Sequence, residues 1–503
     1  MKTTGFTIIL FSALLSIQGI AQNKWMKVYH DEQDAPKLFF TESYDHGYLL
    51  MGRVHWAYPR YNWLIKTDIN GNVLWEKTIG DGINVVDIYG IDLNKYNDTY
   101  LIGVRGLVGD YTDPMIMKLN KCGEKEWCKI LLSPGYQDYM RGICTTKDGG
   151  CATILLGESL NDKDYLVRFS KEGEQLWMHY YPPTTGHTDS EQTTNLILTP
   201  DQGFLLTGFC YYSNPWDTLA YLSPYYIKTD SLGNFEWELV AGLHPNNIGG
   251  KAHTTVIGPD SNYFYSSISH YYRNSIGDAP GLLKMDLNGQ MDTVYDLKPP
   301  GFKGILVDAR FISNSTLAAS ASWEGTAAPK AVIIDTLGHI LYEQDLVDEM
   351  YMASVRVTFD KKALFYTMKY FDNEDQWDTY LFKLNQQLES DTFYTHSFKY
   401  DTLCPYPIAS DTITIDSCGL IVGEMELPPP KKESNTIEIY PNPATNQINC
   451  IVHYSFSEGG SIWIYDMLGG IVDVVKVPAG QTEIQIDVSD YTPGIYIAVA
   501  KSE

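Results

Sequence analysis

The residues able to do chemistry here include 62 carboxylates, 11 histidines, 8 cysteines and 37 tyrosines, and their spacing names no reaction. There is no H-E-x-x-H pair to hold zinc, no G-x-S-x-G elbow to expose a nucleophile, and no G-x-x-x-x-G-K-[ST] loop to cradle phosphate. Asp68-Ile69-Asn70-Gly71-Asn72 begins like a calcium loop, but the later bidentate Glu is missing and the phrase recurs along the chain, as a turn would. So many acids guarantee accidental carboxylate pairs, and spacing alone cannot supply the separation that a glycosidase needs. No catalytic residue, metal ligand or cofactor is therefore assigned. The cysteines fall partly into close pairs, Cys122/Cys128, Cys144/Cys151 and Cys404/Cys418. Each brackets a turn, which predicts local bridges in an oxidising compartment, with Cys210 and Cys450 as buried thiols. Three aromatic segments could recognise a ligand: Trp56, Tyr58 and Tyr61; Tyr211, Tyr212 and Trp216, with Tyr221 and Tyr225 nearby; and Tyr271 and Tyr272 beside His270. Such rings offer large contact area at low entropic cost and suit sugar or peptide platforms. The competing expectation is that they pack over neighbouring elements.

The elements that would carry these residues are set by a repeat. A polar residue is followed three positions on by Gly and four further on by an aromatic: Asp68-Gly71-Trp75, Asn120-Gly123-Trp127, Ser170-Gly173-Trp177 and Asp230-Gly233-Trp237. Weaker copies are Asp286-Gly289-Thr293, Asp335-Gly338-Tyr342 and Asn385-Leu388-Thr392. Apolar runs flank each copy, so the unit is a hairpin whose turn tolerates positive φ. A second hairpin lies upstream, around turns such as Asp148-Gly149-Gly150. About four short strands in about 50 residues is the size of a propeller blade. The expected fold is all-β: a seven-bladed β-propeller over 22–395, in place of a sandwich array or an open solenoid. Trp25 lies one repeat before Trp75, which predicts that the N-terminal strand completes the last blade. In this arrangement the three aromatic segments share one face of the ring.

The chain's ends concern delivery. Met1-Lys2, an apolar run from Phe6 to Ile17 and Gly19-Ile20-Ala21 form a signal peptide over 1–21, too short for a comfortable membrane span. No later stretch is long and apolar enough for a transmembrane segment. A net charge of −25 excludes a nucleic-acid partner, which would need clustered Lys and Arg. After Thr395 the repeat stops. Residues 396–433 read as a Cys-stapled extension ending in the stiff linker Leu427-Pro428-Pro429-Pro430. Residues 434–503 read as a small Ig-like β-sandwich.

Within that last module Tyr440-Pro441-Asn442-Pro443, Asp466-Met467-Leu468-Gly469 and Pro493-Gly494-Ile495-Tyr496 stand in a fixed order. This resembles the type A C-terminal sorting domain of Bacteroidota type IX secretion, over Thr436–Lys501. The resemblance implies passage by the type IX machinery and its sortase, and a secreted or outer-membrane-surface location. The family commonly continues into a further Lys-containing strand where this sequence has Lys501-Ser502-Glu503, which implies less efficient processing. The repeats resemble propeller-like repeats of other exported Bacteroidota proteins, and their turns the Asp-box hairpin of sialidases, a structural turn that implies no activity. A binding or adhesion module for an extracellular glycan or protein is the favoured function. The alternative is a hydrolase or lyase acting on polysaccharide or peptide at the propeller face.

Overall fold

The computed structural model describes residues 25–30, 39–54, 61–80, 85–106, 112–132, 137–157, 163–182, 191–213, 220–242, 248–272, 279–299, 302–323, 329–346, 350–371, 376–421, 437–440, 444–452, 459–466, 470–492 and 494–502. They are strands and turns throughout, in two compact units, 1–423 and 424–503. The signal segment and the Pro-rich linker lie outside the described residues.

Among the described residues the first unit holds seven sheets, each with four antiparallel strands, two of them extended by a fifth strand. Their first strands are Phe39–Glu42, Val85–Leu93, Asp138–Thr145, Glu191–Leu198, Ile248–Ile257, Gly304–Phe311 and Met350–Val357, and these touch one another in succession. Middle strands such as Cys151–Gly157 and Tyr165–Phe169 are buried at every position. That is what a sheet covered on both faces requires. Shared apolar cores join neighbouring sheets: Leu64, Met117 and Ile130 bridge the first and second, and Leu205, Phe264 and Leu283 the fourth and fifth. One core combines Phe40 and Leu50 of the first sheet with Leu364 and Tyr366 of the last, so the succession closes on itself. This is the β-propeller fold.

Closure uses the N-terminus as expected. Met26–His30 pairs antiparallel with Gln376–Leu384, Met26 opposite Phe382, and becomes the outer strand of the last sheet. Trp25 is fully buried in the closing core. Burying an indole of 150–250 Å² contributes roughly 4–6 kcal/mol before entropy is charged against it.

The recurring phrase is a lock between sheets. The Asp68 carboxylate accepts hydrogen bonds from the Asn70 and Asn72 amides (2.8 and 2.7 Å). Ser170, Asp230, Asp286, Asp335 and Asn385 accept from their own second and fourth followers in the same way. The third follower then takes a left-handed conformation, φ 82° at Gly173. A Cβ there would also lie 2.7 Å from the Trp127 ring of the preceding sheet, and one at Gly289 2.5 Å from Trp237. Glycine is thus required twice over, by φ and by the neighbour's aromatic. Leu388 holds the left-handed conformation at φ 62° without a glycine.

Residues 396–421 belong to the first unit and clasp its first two sheets. Asp411–Ile413 adds in parallel to Lys77–Ile79, and Gly419–Ile421 to Lys129–Leu131. Ile413 and Ile415 enter the core between those sheets. The bridges are Cys122–Cys404 and Cys128–Cys418, in place of the local pairs expected from spacing. The strand addition explains it: the register of Gly419 against Lys129 sets Cys418 beside Cys128, Cα atoms 4.7 Å apart. Cys144 and Cys151 are buried free thiols. Cys144 pairs with Ala152 and Cys151 with Thr145, so the two thiols leave opposite faces of the sheet and cannot meet. Cys210 and Cys450 are buried and take part in neither disulfide, as expected.

The second unit pairs Ile437–Tyr440, Gln447–Val452 and Glu483–Asp487 in one three-stranded sheet. Ile471–Val477, Gly460–Asp466 and Tyr496–Ser502 form another. Cys450, Ile462, Ile464, Val477, Ile484 and Ile486 make its core. The last strand carries Lys501, which donates to the Tyr465 hydroxyl (3.0 Å) and lies 4.2 Å from the Trp463 ring centroid. Asp466 and Tyr496 are cross-strand partners, and the Tyr496 hydroxyl donates to the Thr492 carbonyl (2.6 Å). Pro441, Asn442, Pro443, Leu468, Gly469 and Pro493 of the sorting motifs lie outside the described residues.

Candidate functional site: the central cavity

Six of the seven first strands carry a register shift: at Ile88/Gly90, Arg141/Ile143, Thr193/Asn195, Ala252/Thr254, Leu306/Asp308 and Tyr351/Ser354. A bulge bends a strand and re-aims the side chains that follow it. On the far side of the bulges opens a cavity of about 320 Å³, lined by residues from all seven first strands. Its wall includes Thr41, Ile91, Ile143, Leu196 and Val256, and it carries two cations, Arg310 and Arg356.

These two arginines occupy equivalent places, two positions after the bulge in consecutive sheets. Asp92, Thr145, Ile197 and Val256 stand there in sheets two to five. Buried Asp308 anchors both: Arg310 Nη1 lies 2.7 Å from its Oδ1, and Arg356 Nη1 donates to its Oδ2 at 3.0 Å. Ser354 Oγ and the Val355 amide also donate to Oδ2 (2.7 and 3.2 Å). Burial alone would raise the Asp308 carboxyl, but the two guanidiniums and these donors hold it below its ordinary value. Burial lowers Arg310 to about 10, opposed by Asp308 and reinforced by the Arg356 cation. Arg356 is further fixed by donating to the Val355 carbonyl (2.8 Å) and lying 5.4 Å from the Phe40 ring centroid.

The acids at the wall are already committed. Asp92 accepts from the Thr145 amide (2.8 Å) and hydroxyl (3.0 Å), and burial raises its pKa. His253, in the bulge of the fifth sheet, is lowered to about 4 by burial and by Lys251; its imidazole is neutral and 3.1 Å from the Ser269 hydroxyl. Among the described residues no group of three or more His, Cys, Asp or Glu is placed to hold a metal ion. The arrangement can therefore orient and neutralise an anion.

The described residues of the aromatic segments fall at the other end of the strands. Tyr211 is half-exposed, one residue beyond Cys210, which pairs with Glu191 at the start of its sheet's first strand. Tyr225 is core instead of surface: it is fully buried and its hydroxyl donates to Glu238 (3.0 Å). Tyr61, Tyr212, Tyr271 and Tyr272 occupy strand positions, while Trp56, Tyr58 and Trp216 lie outside the described residues. The arginine pair went unseen in the sequence because no motif contains it. Aligning the first strands across repeats, bulge included, is the signal that would have found it.

Residues 438–503 match the family of secretion-system C-terminal sorting domains. No curated protein matches the sequence. Among solved structures, similarity is found to a polysaccharide lyase described as an ulvan lyase, 8% identical, covering 72% of this chain and 96% of that one, with a TM-score of 0.47. The Dos1 propeller is 11% identical over 76% and 88% of the two chains, TM-score 0.42. A protein of unknown function from Bacteroides caccae is 11% identical over 60% and 94%, TM-score 0.37. At this level of likeness they say nothing of what this chain binds. The sorting domain carries the conclusion: this is an exported protein with a type IX C-terminal sorting domain behind a β-propeller region, secreted or held at the outer-membrane surface.

Proposed function

We propose that the chain is an extracellular recognition protein: a seven-bladed β-propeller that binds a ligand in its central cavity, delivered by an Ig-like sorting sandwich. Residues 1–21 act as the signal peptide, and the type IX machinery and its sortase read the C-terminal unit. The observation that carries the reading is the cavity to which all seven first strands contribute and whose acids are engaged by backbone amides and guanidiniums. Such a wall suits holding a ligand better than general acid–base work, which needs a carboxyl or imidazole poised near the working pH. The aromatic residues Trp56, Tyr58, Tyr61, Tyr211, Tyr212, Trp216, Tyr271 and Tyr272 offer a second contact zone for a longer glycan or protein ligand.

The test uses the full mature chain on arrays of glycans, peptides and small metabolites. It is run beside Thr41→Trp, which fills the cavity, and beside a Trp56→Ala/Trp216→Ala double variant. Binding lost with Thr41→Trp supports the reading. Binding that survives it and disappears in the tryptophan double variant moves recognition to the aromatic segments. Cleavage of a bound polymer would replace recognition by catalysis.

A further inference from the structure

We propose that Arg310 and Arg356 form a carboxylate-binding fork in the central cavity, so that the ligand is the anion of a small organic acid or an acid group at the end of a larger molecule. The inference rests on the recognition reading above and names the chemistry of the same site.

Both guanidiniums are held from behind. Among the described residues, the hydrogen bonds and ion pairs of Arg310 and Arg356 run through Nη1: to Asp308, to the Ala309 carbonyl (2.8 Å), and to Ser354 and the Val355 carbonyl. Among the described residues, Nη2 and Nε of both have no protein partner. A guanidinium presents five donors in a planar fork, so two pinned at one corner offer their remaining N–H groups to a planar acceptor. The side chains keep 22% and 33% of their surface, so solvent, and hence a ligand, reaches them.

The charge balance agrees. One carboxylate, Asp308, is shared between two cations, and Asp92, an acid of the cavity wall, gives its Oδ2 to Thr145. The Arg356 cation depresses its neighbour Arg310, and an incoming anion relieves that repulsion. Size and wall set the rest of the ligand. About 320 Å³ corresponds to roughly ten water volumes, enough for a monosaccharide-sized body. Ile91, Ile143, Leu196 and Val256 offer it apolar contact, while Thr41 and Asn195 offer polar atoms. A bare inorganic ion would leave this wall unused.

The test is calorimetric titration of the full mature chain with four probes: D-glucuronate, benzoate, D-glucose and sulfate. Glucuronate or benzoate binds with a Kd of about 1 mM or tighter, at least tenfold better than glucose. Arg310→Lys and Arg356→Lys each weaken that binding tenfold or more, because an ammonium cannot reproduce the fork. Both keep the charge opposite Asp308, so their unfolding midpoints match the parent and separate lost binding from lost folding. Preference for glucuronate points to a sugar acid, and preference for benzoate to an apolar one. Binding of sulfate alone, or of carboxylates equally well in both lysine variants, overturns the fork. Glucose equal to glucuronate, abolished by Thr41→Trp, keeps the recognition reading and overturns the fork. No binding of any probe overturns the fork, and failure of the wider arrays overturns recognition itself.

Discussion

Removing the two disulfides should be strongly non-additive. Cys122–Cys404 and Cys128–Cys418 span 282 and 290 residues and interleave along the chain. A single cross-link closing about 290 residues restricts the unfolded chain by about 5–6 kcal/mol. Once it is present, the second closes only a ring of about 20 residues, six on one side and fourteen on the other, and contributes about 3 kcal/mol. Losing either bridge therefore costs about 3 kcal/mol, and losing both costs about 8–9, well above twice the single loss. The native state should change little, because Ile413 and Ile415 stay in the core of the first two sheets and the two added strands keep their pairing. The assay is urea unfolding of the full chain, followed by tryptophan fluorescence. It compares the parent with Cys122→Ser/Cys404→Ser, Cys128→Ser/Cys418→Ser and the quadruple variant. A quadruple loss equal to the sum of the two single-bridge losses would refute the reasoning, since it would mean that each bridge acts through its own native contacts.

Gly173→Ala should cost more than Gly480→Ala, each read on the thermal transition of its own unit. Both sit at positive φ, worth about 1–2 kcal/mol to a side chain, but only at Gly173 does a Cβ meet a ring; at Gly480 nothing lies within 4 Å. Expected losses are about 3 kcal/mol or more against about 1 kcal/mol. Lys66→Met should destabilise by about 3–5 kcal/mol in urea, because the buried Asp45 carboxylate loses a partner at 2.5 Å. Asp164 is buried and raised to about 7, chiefly by desolvation, despite the Thr193 hydroxyl that donates to it. The folded state thus keeps a proton that the unfolded state releases near pH 4. Its stabilising effect is complete below that pH and is lost as pH rises through 7. Between pH 5 and 8 the parent should lose about 2–3 kcal/mol that Asp164→Asn does not, measured as the difference between their urea midpoints at the two pH values.

What the sequence made legible was whatever recurs. Seven copies of one turn fixed the hairpins, their phase and the strand exchanged at closure, because Asp or Asn with Gly has one cheap local solution and the Trp packs on the next copy's glycine. A further recurring signal was present but unread. A cation stands two residues before the turn in six copies: Lys66, Lys118, Arg168, Lys228, Lys284 and Lys383. Each is paired with a carboxylate, as Lys228 is with Asp201 (2.8 Å) and Glu236 (2.7 Å). In the sixth copy Ile333 takes the place and joins an apolar core instead. The disulfide partners were hidden because they depend on the extension's register against outer strands some 290 residues away, and local spacing carries no trace of that.

The same logic explains why the candidate site was the least legible part. A repeat protein reuses the same turn, the same aromatic and the same paired cation from sheet to sheet, so selection for packing writes them into most copies. A ligand at the ring's centre meets each first strand at one point only, and it needs different groups from different sheets. Arg310 and Arg356 stand where sheets two to five carry Asp92, Thr145, Ile197 and Val256, and Asp308 stands where those sheets carry Gly90, Ile143, Asn195 and Thr254. Arg310 brings a charge whose burial is only partly compensated by the carboxylate it shares with Arg356. A substitution that breaks the repeat, adds an electrostatic cost and faces the cavity is better explained by what enters the cavity than by the fold that surrounds it.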